Sequence, residues 1–117
     1  MPTLDDVRQI CARFPGATEG AGEQFGFGVV VKGKHKGFAW SWRERVHPKK
    51  PKVINDQVLA IRVPNLEAKE ALLATRPEIC FTEPHYNGYP AILVWLEKIS
   101  VEELEDLLLE GWRSIAG

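Results

Sequence analysis

The sequence predicts one α+β domain in which helices pack on one face of an antiparallel sheet, in the order α-β-β-β-α-β-β-α. Three observations predict this class. Apolar residues recur at helical spacing near both ends of the chain, alternating runs flank a glycine-bounded turn between them, and consecutive hairpin strands favour antiparallel pairing. A length of 117 residues suits a single domain that covers residues 1–117.

The first helix is predicted to begin after Thr3, an N-cap residue, with Asp5 and Asp6 in the first turn to complement the helix dipole. Pro15-Gly16 ends this helix. Apolar residues at helical spacing form its inward face: Leu4, Val7, Ile10, Cys11 and Phe14.

Two alternating runs around a short glycine-bounded loop predict a β-hairpin after this helix. The bulky residues of the two runs are Phe25, Phe27, Val29 and Val31, then Phe38, Trp40 and Trp42. The small residues between them are Gly26, Gly28, Ala39 and Ser41. We expect the bulky face to meet the helices and the small-residue face to allow close approach by another group.

The hairpin is followed by a loop, a strand and a helix. Residues 44–56 contain two prolines and little periodicity and are interpreted as an exposed loop, and residues 57–63 are predicted as the third strand. Asn65 is the predicted cap of the second helix. Its inward residues are Ala68, Ala71 and Leu72.

Two strands and a helix complete the predicted fold. Residues 78–82 form a short strand, residues 84–90 a turn region, and residues 91–96 a strand that is apolar on both faces. Ser100 and Glu103 form a capping box at the start of the last helix. Its buried stripe consists of Leu104, Leu107, Leu108, Trp112 and Ile115.

Composition excludes several classes of protein. An apolar content of 44% is ordinary for a soluble domain, no run reaches the roughly 20 apolar residues of a membrane helix, and no secretory leader is recognisable. Cys11 and Cys80 have apolar neighbours, so we predict buried thiols and a cytoplasmic protein. Together with His35, His47 and His85 they show no paired ligand spacing, so we predict no metal site and no cofactor.

Positive charge is concentrated in residues 32–52. This segment holds eight basic residues and one acidic residue, a net +7, which leaves −8 for the rest of a chain whose net charge is −1. A patch of this kind attracts anionic partners, and lysine or arginine there would neutralise phosphates. The alternative is that these residues only keep an edge and a long loop soluble. The candidate phosphate-binding residues are Lys32, Lys34, Lys36, Arg43, Arg45, Lys49, Lys50 and Lys52.

The aromatic run on the second hairpin strand also has two interpretations. An open face bearing Phe38, Trp40 and Trp42 would stack nucleobases, as single-strand binders do. The alternative, which we favour, is that the run belongs to the core and covers the helices. Trp42, next to the basic segment, is the residue most suited to ligand contact.

The segment Glu83 to Tyr89 is the remaining candidate site. Glu83 and His85 would suit general acid/base chemistry, as in a hydrolase or a transferase, but no nucleophile of recognisable context accompanies them. The prolines and the Asn-Gly pair in this segment indicate a turn. The aromatic residues of the segment favour a structural or ligand-contact role. Contact with a ligand or partner protein would centre on His85, Tyr86 and Tyr89.

Several stretches resemble the MmcQ/YjbR family. They are residues 27–39 with their Val-Lys-Gly-Lys core, residues 77–79, Thr82 to Tyr86, and Gly88-Tyr89-Pro90-Ala91 with the strand that follows. The final helix, residues 103–113, also matches. The resemblance implies a fold similar to bacterial frataxin and DNA binding through a double-wing arrangement. Its wings would be the Lys32 to Gly37 hairpin and the Arg43 to Lys52 loop, and it implies no catalytic residues.

We therefore predict a binding module rather than an enzyme. The leading hypothesis is a DNA-binding protein that contacts phosphates through the basic hairpin and loop, with no membrane or metal partner. The second hypothesis is an accessory domain that binds a protein or a small ligand through the His85-Tyr86-Tyr89 segment. We expect a monomer, because the core assignment leaves no apolar stripe exposed.

Overall fold

The computed structural model describes residues 3–19, 26–44, 53–82 and 88–116, without the side chains of residues 42–44, 53–57 and 116. The elements in chain order are α1 (Leu4–Cys11), β1 (Thr18–Glu19), β2 (Gly26–Val31), β3 (Lys34–Glu44), β4 (Val53–Arg62), α2 (Leu66–Thr75), β5 (Cys80–Phe81), β6 (Ala91–Trp95) and α3 (Val101–Ala116). The strands form one sheet in the order β1-β2-β3-β4-β6-β5 with antiparallel pairing throughout. The predicted α+β class is confirmed, and β1 is a two-residue strand that the sequence did not predict.

The predicted cap residues accept hydrogen bonds at the N-termini of all three helices. The Thr3 hydroxyl accepts a hydrogen bond from the Asp6 amide, and the Asp6 carboxylate accepts one from the Thr3 amide at 2.8 Å, which completes a capping box. Asn65 accepts from the Ala68 amide at 2.8 Å. Ser100 accepts from the Glu103 amide at 3.2 Å. Each cap satisfies an amide that the first helical turn leaves without a partner.

Helices α1 and α3 pack against one face of the sheet, which we call the helix face. The predicted stripes of both helices are confirmed, because Val7, Ile10 and Cys11 of α1 and Leu104 and Leu108 of α3 are buried there. They meet side chains of three strands, β2, β4 and β6: Phe27, Val29, Leu59, Ile61, Ile92 and Val94. This layer is the main hydrophobic core of the domain.

A glycine lets α3 approach the sheet closely. A Cβ atom at Gly111 would lie 2.8 Å from the Arg62 carbonyl oxygen and 3.4 Å from the Phe38 carbonyl oxygen. At the next residue, the Trp112 indole donates a hydrogen bond to the Pro15 carbonyl at 2.9 Å. The end of α3 is therefore fixed both to the strands and to the segment that follows α1.

A β-bulge interrupts the pairing of β2 with β3. The register passes from Gly28 opposite Gly37 to Phe27 opposite Ala39, so Phe38 is an extra residue on β3. An extra residue reverses the face on which all later side chains of a strand lie.

Because of the bulge, the prediction that Phe38 and Trp40 lie on the same face of the strand is wrong. Phe38 and Ala39 both enter the helix-face core, whereas Trp40 packs on a second, smaller apolar cluster on the other side of the sheet. The small residues Ala39 and Ser41 are fully buried rather than open to an approaching group. For Phe38 the interpretation as core is confirmed. The side chain of Trp42 lies outside the described residues.

Two further predictions are corrected. Strand β4 begins at Val53, four residues before the predicted strand, so part of the predicted 44–56 loop is paired with β3. In α2, Ala68 and Leu72 pack on the core as predicted, but Ala71 is exposed and Lys69 is buried instead. Lys69 reaches a backbone carbonyl 20 residues away along the chain, and such a long-range partner has no local sequence signal.

Both cysteines are buried free thiols, as predicted. Burial raises the pKa of Cys11 to about 12 and that of Cys80 to about 11, because the surrounding apolar groups disfavour a thiolate. No helix in the described ranges is long and apolar enough to cross a membrane.

Candidate nucleic-acid interface

A tight turn brings the first three predicted phosphate-binding residues together. Val31 pairs with Lys34, so Lys32 and Gly33 alone connect β2 to β3. Both residues have positive φ, 52° for Lys32 and 80° for Gly33, which is the pattern of a type I′ turn. This turn matches the right-handed twist of the two strands, and it holds the lysines on a short, well-paired hairpin.

The lysine side chains of this hairpin are exposed. Lys34 lies opposite Val31, and Lys36 lies opposite Val29. Lys32 is exposed at the turn itself. Among the described residues, none of these three ammonium groups forms an ion pair. We call Lys32, Lys34 and Lys36 the hairpin lysines.

A histidine packs over a glycine at the base of the hairpin. His35 lies opposite Val30, on the face of β3 that the lysines at 34 and 36 do not occupy. Its ring passes over Gly28, where a Cβ atom would lie 2.6 Å from the imidazole and 2.4 Å from the Lys36 carbonyl oxygen. The absence of a side chain at position 28 therefore permits this close packing beside the bulge.

The structure reaches the other predicted basic residues only in part. Arg43 lies on β3, opposite Ile54 of β4, and its backbone alone is described. Four predicted residues lie outside the described residues: Arg45, Lys49, Lys50 and Lys52. The hairpin lysines are consequently the part of the predicted interface that has a defined geometry.

The face of the sheet opposite α1 and α3 carries a feature that the sequence analysis missed. Trp40, Phe81 and Trp95 pack there on a small cluster of buried residues, Val58, Ala60 and Leu93. The rings of Phe81 and Trp95 are stacked, with centroids 4.2 Å apart and an interplanar angle of 23°. We call this the aromatic face. The predicted strand at 91–96 indicates this face, because a strand that is apolar on both sides must be packed against other residues on both.

Cationic side chains lie beside the rings of the aromatic face. The Lys98 ammonium is 4.9 Å from the centroid of Trp95, and the Arg62 guanidinium is 6.0 Å from the centroid of Tyr89. Tyr89 in turn meets Trp40 edge-on, with centroids 6.4 Å apart. Aromatic and cationic groups thus alternate across this surface.

Tyr89 is the described member of the predicted ligand-contact segment. It is 42% exposed, whereas His85 and Tyr86 lie outside the described residues. Its carbonyl accepts hydrogen bonds from the Lys69 ammonium at 2.9 Å and from the Ala91 amide at 2.8 Å. Burial lowers the pKa of Lys69, because desolvation disfavours its charged form. These bonds hold the turn before β6 against α2.

Acidic residues are concentrated on the helical layer instead. Exposed carboxylates line the outer surface of α3: Glu102, Glu105, Asp106 and Glu110. In α1, Arg8 binds Asp5 at 2.7 Å and Glu19 of β1 at 2.8 Å, so that cation is already paired. Within the described ranges, no group of three histidine, cysteine or acidic side chains is arranged to hold a metal ion.

Comparisons with known proteins give one family model, three similar sequences and a solved structure of similar fold. The chain matches the family model described as YjbR over residues 12–114. Uncharacterised proteins of Mycobacterium tuberculosis and Mycobacterium bovis are each 34% identical over 112 residues, which covers 96% of this chain and 87% of the relative. The crystal structure of Deinococcus radiodurans protein DR2400, a DUF419 domain, has a TM-score of 0.65 at 23% identity, covering 95% of this chain and 76% of that chain. This last likeness shows a common fold.

Proposed function

This chain belongs to the YjbR family, and we propose that it is a non-enzymatic DNA-binding protein that contacts phosphates through its basic hairpin. The observation that carries the proposal is the cluster of hairpin lysines, three exposed cations around a two-residue turn without an acidic partner among the described residues. Each lysine that neutralises a phosphate releases condensed counterions, and this release favours binding.

The geometry of the hairpin supports contact with a polyanion. A type I′ turn between paired strands is stiff, so the lysines are held in place before binding and little backbone entropy is lost on association. Lys34 and Lys36 project from one face of the hairpin and His35 from the other. Basic groups on both faces suit a hairpin that enters a groove or lies along a phosphate backbone.

The distribution of charge supports contact with DNA through the hairpin rather than through the outer surface of the helices. The outer surface of α3 carries four exposed carboxylates, which would repel DNA from the helical layer. The hairpin and the basic segment that continues through Arg43 offer the opposite charge. Binding of this kind positions the protein on phosphates and carries little sequence information. In this proposal the segment from Arg43 to Lys52 acts as the second wing.

The proposal is tested by removing two hairpin charges and comparing the result with an equal change elsewhere. Lys34→Gln with Lys36→Gln removes two exposed cations from the hairpin. Arg13→Gln with Arg113→Gln removes two cations from exposed positions in the helical layer, so the net charge changes by the same amount.

We expect the lysine variant to bind a short DNA duplex on the order of 100-fold more weakly at 50 mM salt, because each lost phosphate contact removes about 0.9 from the salt slope. The arginine variant should bind almost as tightly as the unaltered protein, because its lost charges lie away from the hairpin. Fluorescence anisotropy with a labelled duplex measures both affinities. Equal affinities for the two variants would contradict the proposal.

The accessory-domain function is the second candidate, and the exposure of Tyr89 favours it. An exposed tyrosine whose backbone is fixed by Lys69 provides a rigid contact residue for a partner. Replacing Tyr89 with alanine should then weaken binding to that partner without affecting the affinity for duplex DNA. A Tyr89→Ala variant that loses only thermal stability would remove this candidate.

A further inference from the structure

The rings of the aromatic face are arranged in a row across the sheet. Register places Trp40 opposite Ala60, Ala60 opposite Leu93, and Leu93 opposite Phe81. Neighbouring strands are about 4.8 Å apart, so the backbones of Trp40 and Phe81 are separated by roughly 14 Å. Trp95 lies two residues along from Leu93 and stacks on Phe81. The face therefore has one indole on one side of a buried aliphatic floor and an aromatic pair on the other.

The rings are placed to make contacts beyond the sheet. Trp40 lies beside Gly37, where a Cβ atom would be 3.7 Å from the indole, so the ring rests against backbone on that side. Trp40, Phe81 and Trp95 are each partly exposed. A planar ligand that stacks on such a ring gains contact area without opening the core.

The charges on this face complement a polyanion. At the described side-chain positions of β2 to β6, its residues include the cation Arg62 and no carboxylate. Lys98 adds an ammonium group over Trp95. The carboxylates of α3 lie on the opposite side of the domain. A ligand with flat, uncharged rings along a negatively charged chain fits both properties.

We propose that the aromatic face stacks unpaired nucleobases, so that the chain binds single-stranded DNA in preference to duplex. This inference rests on the proposed function, since Lys32 at the turn of the basic hairpin supplies a phosphate contact and the aromatic face adds contact with bases. Bases in a duplex are already stacked on each other, and only unpaired bases are available to Trp40 and to the Phe81–Trp95 pair. Arg62 and Lys98 pair with phosphates next to the stacked bases.

The experiment compares two single strands that carry the same charge. One is a 12-nucleotide oligothymidine and the other an abasic strand with the same number of phosphates, both measured by fluorescence anisotropy at fixed salt. Stacking on one ring strengthens binding by about 5- to 150-fold. We expect the unaltered protein to bind oligothymidine at least about tenfold more tightly than the abasic strand, with duplex closer to the abasic strand.

Variants at position 40 test whether the preference arises on this face. Trp40→Leu should weaken binding to oligothymidine at least about fivefold and leave binding to the abasic strand unchanged. Trp40→Phe retains a ring and should retain most of the preference. Trp112→Leu is the control, because this indole lies on the helix face and bonds to Pro15. It should lower the melting temperature without changing the preference for bases.

The outcomes separate this inference from the proposed function. Equal binding of oligothymidine and the abasic strand would overturn base stacking, while phosphate binding by the hairpin would stand. A Trp40→Leu variant that loses affinity for both strands equally would also overturn it, because the loss would not depend on bases. If neither strand nor duplex binds at low salt, the proposed function fails as well.

Discussion

Replacing Gly28 with alanine should destabilise the β2–β3 hairpin, because a methyl group at this position overlaps the backbone of the neighbouring strand. The new Cβ atom would lie 2.4 Å from the Lys36 carbonyl oxygen and 2.6 Å from the His35 ring. Ordinary contact begins at 3.4 Å. The imidazole is able to rotate away, but the carbonyl moves only if β3 shifts by about 1 Å at the bulge, a displacement comparable to those that overpacking forces.

Overpacking of this kind costs about 1–3 kcal/mol, and the lower entropy of the unfolded alanine chain offsets about 0.4–1 kcal/mol of that cost. The free energy of unfolding should therefore fall by about 1–2 kcal/mol. Gly37, opposite Gly28 on β3, provides the control. A Cβ atom there would have its nearest contacts at 3.7 and 3.8 Å, and its φ is not positive. Gly37→Ala should be neutral or stabilise the domain by up to about 1 kcal/mol.

Urea unfolding followed by tryptophan fluorescence measures both effects as shifts in the denaturation midpoint at constant slope. We expect the midpoint to fall for Gly28→Ala and to stay or rise for Gly37→Ala. Equal midpoints for the two variants would refute the close approach of β3 to Gly28, and with it the bulge geometry that positions the lysines.

Two further predictions concern the core. Gly111→Ala should lower the melting temperature, because its Cβ atom would lie 2.8 Å from the Arg62 carbonyl oxygen and force α3 off the sheet. This cost should exceed the roughly 1 kcal/mol by which alanine favours a helix over glycine. A higher melting temperature would contradict the close packing of α3. The thiols should make stability fall above pH 9, the ordinary pKa of the unfolded thiols, because Cys11 and Cys80 stay protonated in the fold until pH reaches about 12 and about 11. Between pH 8 and pH 10, each thiol should lower the free energy of unfolding by about 1 kcal/mol. The urea midpoint of Cys11→Ala should therefore fall less over this pH range than that of the unaltered protein. An equal fall in the two proteins would refute the raised pKa of Cys11.

Local signals predicted the helices and the family. The caps at Thr3, Asn65 and Ser100 are side-chain bonds within one helical turn, so they depend only on neighbouring residues. The stripes of α1 and α3 follow from helical spacing for the same reason. The resemblance to the MmcQ/YjbR family, drawn from short motifs along the chain, is confirmed by the match over residues 12–114.

Features set by pairing between strands were not predictable in this way. Alternation from Phe38 to Trp42 indicates one face only if the strand is regular, and the bulge at Phe38 depends on the register with β2. The contacts of Lys69 with Tyr89 and of Arg62 with the Tyr89 ring join residues distant in sequence. The aromatic face was missed because Phe81 and Trp95 belong to strands that meet only in the folded sheet. The hairpin lysines were found because turn and charges lie in one short segment.

The salt dependence of DNA binding tests the central claim most directly. Affinity for a short duplex is measured by fluorescence anisotropy from 50 to 200 mM salt, for the unaltered protein and for Lys34→Gln with Lys36→Gln. Three phosphate contacts by the hairpin lysines predict a slope of log affinity against log salt of about −2.7 or steeper, and the double variant should be shallower by about 1.8. A slope that the two lysine substitutions do not change, or no binding at 50 mM salt, would contradict DNA binding through the hairpin.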